Sequence, residues 1–254
     1  MELKTIEKAL KVFKCFAQGE TSLGTTELAR RLEINKATMS RVLSTLKKHD
    51  FLEQEPLTRR YRLGPAMVEL ARAVYRSLEC TVVTEATPFI DALRDEVEER
   101  VHLEVLSGSN IYLAYIAETP KPISLKIEIG DQVMPHAHAG AKAIVAFSQP
   151  DVIDYWLRKD LIPYNQRTVT EPEKVRDVYA EIRKTGVAYD YGEYIEEVNA
   201  IGAPVFNHQD IPVAGLIIVI PTYRMRNKWS RNHIAKLKKA ANAISARLHS
   251  SRGI

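Results

Sequence analysis

Residues 26–43 read Thr-Glu-Leu-Ala-Arg-Arg-Leu-Glu-Ile-Asn-Lys-Ala-Thr-Met-Ser-Arg-Val-Leu, and the spacing of their apolar members decides the fold of the N-terminal region. Leu28, Ala29 and Leu32 face one way on a short helix that follows Thr25, the expected N-cap, with Glu27 in its first turn. Met39, Val42, Leu43 and Leu46 form one stripe of a second helix, running from about Lys36 to His49. Only Glu33-Ile34-Asn35 separates the two. Helices joined by so tight a turn form a helix-turn-helix, whose second helix enters the major groove of DNA. The face opposite the stripe carries Lys36, Thr38, Ser40, Arg41, Ser44 and Lys48. Such side chains bond base edges and phosphates, and Thr26 on the preceding helix is grouped with them. The competing reading is a plain trihelical bundle with a solvated polar face.

The flanking sequence favours the DNA-binding reading. Upstream, Ile6, Ala9, Leu10, Phe13 and Phe16 recur at helical spacing, and Gly19 is expected to end that helix. Downstream, 51–55 and 60–63 read as two short strands around Pro56-Leu57-Thr58-Arg59, the wing of a winged helix. Its arginines, Arg59, Arg60 and Arg62, suit the phosphate backbone or the minor groove. Charge is distributed to match: residues 1–64 hold 13 Lys/Arg against 8 Asp/Glu, the rest 23 against 24. A basic small domain beside a near-neutral large one suits a protein whose N-terminus meets a polyanion.

Gly64-Pro65 marks the end of the first domain (1–64). A linker helix within 65–80 follows, with Met67, Leu70, Ala71, Val74 and Leu78 on one face that needs a partner. The second domain, 81–254, mixes the two periodicities. Strands are expected at 101–106 and 111–116 around a Gly108-Ser109-Asn110 turn, and at 123–128, 186–190, 199–207 and 213–220. Helices are expected at 88–99, 140–148, 150–159, 172–185 and 230–249. The fold class is therefore α+β, with a mostly antiparallel sheet covered by helices.

Several classes are excluded. The longest apolar run, 213–221, is strand-sized and far short of a membrane span. Two cysteines, Cys15 and Cys80, give no disulfide framework and point to a reducing, cytoplasmic setting; the N-terminus lacks a signal-peptide core. Phosphate-loop, dinucleotide and nucleophile-elbow motifs are missing, and no cofactor is implied. His136 and His138 alternate as if on one strand face but have no third ligand near in sequence, so no metal site is expected. The basic run from Arg224 to Lys239 reads as a solvated face.

The segment 26–43 and the closing Tyr61-Arg62-Leu63-Gly64 resemble the DNA-binding signature of the IclR family of transcriptional regulators. The likeness continues through 136–143, Thr168-Val169-Thr170, Gly186–Asp190, Glu193 and Ala200–Val205. One departure is that Ala141-Lys142 stands where the family carries Gly-Lys, with the glycine one place earlier. The resemblance implies a GAF-like effector domain, a homodimer or dimer of dimers on a pseudo-palindromic double-stranded operator, and control of catabolic genes by a small organic acid. It places the effector pocket at Met134, His138, Ala139, Gly140, Ala141, Asp190, Ala200, Ile217 and Val219, with Leu216, Ile218 and Ile220 turned to the other layer. The residues agree with that. Residues 138–142, with the small Ala139-Gly140-Ala141 at their centre, open a helix, leaving backbone N–H groups free for an anion. The specific expectation is a hydroxylated aromatic acid, its carboxylate on the N–H groups of Ala139 to Ala141 and its body on Ile217, Val219 and Ala200. Two alternatives remain: a helix-turn-helix-bearing metabolic enzyme, and a ligand-independent dimeric DNA-binding protein.

Overall fold

A computed structural model describes residues 3–17, 20–75, 78–119, 121, 127–225 and 231–250, without the side chains of 72–80. The chain divides into two compact units, Met1–Ser77 and Leu78–Ile254.

The first unit holds α1 (Lys4–Phe16), α2 (Thr25–Arg31), α3 (Lys36–Lys48), the strands β1 (Leu52–Gln54) and β2 (Tyr61–Leu63), and α4 (Ala66–Tyr75). Its core is Val12, Phe16, Leu23, Leu28, Met39, Leu43, Leu52 and Tyr61. Two expectations need correction. Gly24, not Thr25, is the N-cap of α2, and its N–H donates to the Glu27 carboxylate at 3.5 Å. On α1 the buried side is Val12, Cys15 and Phe16, whereas Ile6 and Leu10 are each 55% exposed. The apolar surface of α1 wraps further round the helix than its contact with the core. Gly19 lies outside the described residues. Between α2 and α3, Glu33 adopts φ 54° and the Ile34 N–H returns to the Ala29 carbonyl at 2.9 Å. Asn35 then caps α3 by accepting from the Ala37 N–H at 2.8 Å. Gly64 is required where the wing closes on the end of α3, since a Cβ there would stand 2.2 Å from the Asp50 carbonyl oxygen.

The second unit is a five-stranded antiparallel sheet between two helical layers. In chain order it comprises α5 (Leu78–Val97), β3 (Arg100–Ser107), β4 (Asn110–Ala117), α6 (Ala139–Phe147), α7 (Pro150–Leu157), α8 (Pro172–Thr185), β5 (Ala188–Tyr191), β6 (Val198–Phe206), β7 (Pro212–Pro221) and α9 (Arg231–Ser250). The strand order is β4-β3-β7-β6-β5. One face packs Leu103, Ile201, Leu216 and Ile218 against Ile90, Leu93, Leu237 and Ile244 of α5 and α9. The other packs Ala200, Ile217 and Val219 beneath α6, α7 and α8. Covered on both sides, β6 and β7 are apolar at consecutive positions, as buried strands are.

Three expectations differ here. Helix α5 begins ten residues before Pro88, which sits inside it. The ring costs one backbone bond, and the buried run Val82, Ala86, Ile90, Leu93 holds the helix together through it. Of the strand expected at 123–128, residues 123–126 lie outside the described ones, while Ile127 and Glu128 are not in a strand. His136 sits in a turn and His138 caps α6, so the two are not on a strand face.

Candidate DNA interface and ligand cavity

On the first unit, α3 presents Lys36, Ser40, Arg41, Ser44 and Lys48 to solvent, and Thr26 on α2 is exposed as well. Thr38 is half-buried, turned with Arg41 into a groove that Thr5 and Ala9 of α1 wall on the other side. The wing separates its three arginines. Arg60 is committed within the unit: Nε donates to Ser22 Oγ at 3.0 Å, and Nη2 to the Ser22 carbonyl at 2.8 Å and to Glu27 Oε2 at 3.0 Å. Arg62 donates twice to Glu53 Oε2, at 2.9 and 2.7 Å. Arg59, at φ 57° on the hairpin tip, is exposed. Lys47, which the sequence reading did not single out, reaches from α3 to Gln54 Oε1 on the wing at 3.5 Å.

On the second unit, six of the expected pocket residues, His138, Ala139, Asp190, Ala200, Ile217 and Val219, line one cavity of about 40 Å³. The strand register explains their convergence. Ala200 faces both Asp190 on β5 and Val219 on β7, and the next row on that face aligns Gly202, Ile217 and His102. Helix α6 lies on these rows because glycines let it approach. A Cβ on Gly202 would stand 2.5 Å from the Ala139 carbonyl, and one on Gly215 2.5 Å from that of Gly140. Gly140 itself is closed in: a Cβ there would stand 2.5 Å from Ile217 Cδ1 and 2.7 Å from Glu104 Oε2. The glycine at 140 is thus the one the packing requires. Met134 and Ala141 belong to the surrounding apolar cluster rather than to the cavity wall.

The cavity also takes in His102, Glu104, Ile127, Tyr194, Ile195 and Val198. His102 and Glu104 come from β3, where Arg100, His102 and Glu104 alternate with Val101, Leu103 and Val105. Glu104 Oε1 accepts from His138 Nδ1 at 3.3 Å, and the His138 ring lies 4.1 Å from that of Tyr194, centroid to centroid. Burial pushes the His102 imidazole down to about 3, aided by Arg100, so the ring is neutral at physiological pH. Burial raises the Asp190 carboxyl to about 6, against the pull of Lys142 and of the Glu193 N–H, which donates to Oδ1 at 2.6 Å. Lys142, a buried residue of α6, donates to the Tyr189 carbonyl at 2.8 Å and to Glu193 Oε1 at 2.7 Å. His136 instead bonds the Ile162 carbonyl at 2.9 Å. Among the described residues, no cluster of three or more His, Cys, Asp or Glu is placed to hold a metal ion.

A winged helix-turn-helix followed by a helix-covered antiparallel sheet with a lined cavity is matched along the chain. Residues 5–56 fit the model of the IclR helix-turn-helix domain, and 77–246 that of the bacterial transcriptional regulator IclR C-terminal domain. The chain belongs to the IclR family of transcriptional regulators. It is 25% identical over 248 residues to the HTH-type transcriptional regulator XynR of Escherichia coli K12, covering 97% of each. Among solved structures, an IclR transcriptional regulator from Alicyclobacillus acidocaldarius superposes with a TM-score of 0.80 at 26% identity, over 98% of this chain and 100% of that one. An IclR homologue from Microbacterium hydrocarbonoxydans, solved in complex with 4-hydroxybenzoate, gives 0.83 at 22% identity over 97% and 99%, a likeness of fold. In IclR-family terms the first unit carries the DNA-binding element and the second the effector domain. No described helix is long and apolar enough to cross a membrane.

Proposed function

We propose that this IclR-family regulator binds a pseudo-palindromic operator in double-stranded DNA as a homodimer or dimer of dimers, and that a small organic acid in the cavity of the second unit changes that binding. The regulator acts in the cytoplasm, without catalysis and without a membrane. In this reading residues 1–64 contact DNA, 65–80 link, and 81–254 sense the effector. The observation that carries it is the cavity: an apolar floor of Ala200, Ile217 and Val219 is flanked by polar groups, His102 and Glu104 with His138 on the β3 side and Asp190 on the β5 side. A floor of that kind takes the body of a ligand, and a few converging polar groups fix its orientation. The 4-hydroxybenzoate bound by the Microbacterium homologue is a molecule of that build. The cavity volume holds roughly three waters. A ring-sized guest therefore displaces Tyr194 and Ile195, which stand on the irregular segment between β5 and β6.

The test is a gel shift on the DNA upstream of the protein's own and neighbouring operons, with hydroxybenzoates, benzoate and short keto acids added. One of these acids is expected to move the midpoint of operator binding at least threefold. The same acid should raise the melting temperature of the free protein, since binding the native state stabilises it. Specific DNA binding that no acid changes, with no thermal shift, would leave the ligand-independent alternative standing.

A further inference from the structure

We propose that Glu104 selects the effector, its free carboxylate oxygen taking the hydroxyl of a hydroxy acid; this rests on the acid-binding reading above. Glu104 is 2% exposed, in the middle of a strand whose other cavity-facing neighbours across the sheet are apolar or glycine. A carboxylate in such a place is costly unless its oxygens are met. Oε1 has His138 Nδ1. Oε2 has no partner among the described residues, and it lies against the first turn of α6 beside Gly140, on the cavity wall. That is the position assigned from sequence to the effector's own carboxylate. The chain places a carboxylate of its own there, so the guest meets it with a donor.

The neighbours narrow the donor to a hydroxyl. His102 Nε2, on the same face two residues away, is likewise buried without a partner among the described residues. Held neutral by burial, that imidazole offers one donor and one acceptor, and a hydroxyl can both give to Glu104 and accept from His102. An ammonium gives only. Of the nearby cations, Lys142 is engaged by Tyr189 and Glu193, and Arg100, outside the cavity lining, bonds Glu118 Oε1 at 2.8 Å through Nη2, while Glu104 itself repels a carboxylate at this end. The acid group of the ligand then points away from Glu104.

The experiment is calorimetric titration of the full chain with matched pairs: 3- and 4-hydroxybenzoate against benzoate, lactate against pyruvate, and 4-(aminomethyl)benzoate as the ammonium probe. Wild type is compared with Glu104→Ala and Glu104→Gln, each first checked by its cooperative melt. At least one hydroxy acid should bind wild type about tenfold or more tighter than its partner, the size of a hydrogen bond to a charged acceptor. In Glu104→Ala the two members of that pair should bind within about threefold of each other, while Glu104→Gln, which keeps an acceptor oxygen, retains part of the preference. Equal binding of the pair by wild type, an undiminished preference in Glu104→Ala, or tighter binding of the ammonium probe would overturn the role of Glu104 and leave the acid reading intact. If no acid of either kind binds wild type, both readings fall.

Discussion

Asp190 and His102 lie on one face of the sheet with opposite proton demands. Asp190 is raised by burial from 3.8 to about 6, so folding favours its protonated form. Its contribution to stability is full below the unfolded value and is lost as pH rises through about 6. Two pKa units correspond to roughly 3 kcal/mol as an upper figure. His102 runs the other way: lowered from 6.5 to about 3, it contributes fully above 6.5 and loses that contribution as pH falls through about 3. Between pH 4 and 6 the two oppose, and the wild-type profile conceals both. Asp190→Asn removes one of them. The difference in urea-unfolding stability, variant minus wild type, should grow in the variant's favour by about 2–3 kcal/mol from pH 4 to pH 7. A difference that stays flat across that range would mean Asp190 ionises in the fold at its ordinary value. Of these groups only Asp190 was legible in the sequence, and through the family resemblance, not through the strand pattern. His102 and Glu104 were not, because Arg-Val-His-Leu-Glu-Val alternates as a strand with one wet face does. It is α6, brought down by Gly140, Gly202 and Gly215 from distant parts of the chain, that makes the wet face dry.

At the scale of elements, the proposed grip on DNA assigns different work to α3 and to the wing. Arg41 projects from the exposed side of α3, where a guanidinium can bond two acceptors on one guanine. Arg59 stands on the hairpin tip, while Arg60 is bound to Ser22 and Glu27 and fixes the wing to α2. Three substitutions should therefore behave differently. Arg41→Ala should cost ~1–3 kcal/mol on the operator and much less on random duplex. Arg59→Ala should weaken binding to both and flatten the log–log salt dependence by about one unit. Arg60→Ala should leave the slope unchanged and lower the thermal stability of the first unit instead. Fluorescence anisotropy on operator and scrambled duplexes from low to moderate salt reads the first two, and equal slopes for Arg59→Ala and wild type would remove Arg59 from the phosphates. The helix-turn-helix was legible because its signals are local: a stripe, a three-residue turn, a second stripe. The role of Arg60 was not, since its partners lie 33 and 38 residues away. Pro88 misled for a related reason. Its local preference for a helix start is overridden by apolar packing that spans it, from Val82 to Val97.

For the whole molecule the open matter is how many copies grip the operator. The first unit leaves apolar side chains in water that its own core does not use. Leu70 is 51% exposed on α4, Val68 is 62% exposed on another side of the same helix, and Ile6 and Leu10 are each 55% exposed on α1. The stripe expected on a linker helix includes Val74, at the end of α4, and Leu78, which begins α5; the side chains of both lie outside the described ones. One small winged helix makes few base contacts, whereas a two-fold pair meets two half-sites with the same residues and gains from their linkage. The surplus apolar surface suits such a pairing, as a monomer would gain nothing from exposing it. Charge placed in that surface should then act on assembly and not on sensing. Leu70→Glu is expected to lower the mass seen by light scattering at micromolar protein and to weaken operator binding by tenfold or more. The affinity of the second unit for its acid should stay within twofold of wild type, because the cavity lies wholly among residues of that unit. Wild-type protein that scatters as a monomer while holding the operator tightly would end the dimer reading. Loss of acid binding in Leu70→Glu would show instead that the cavity depends on the pairing of the first units.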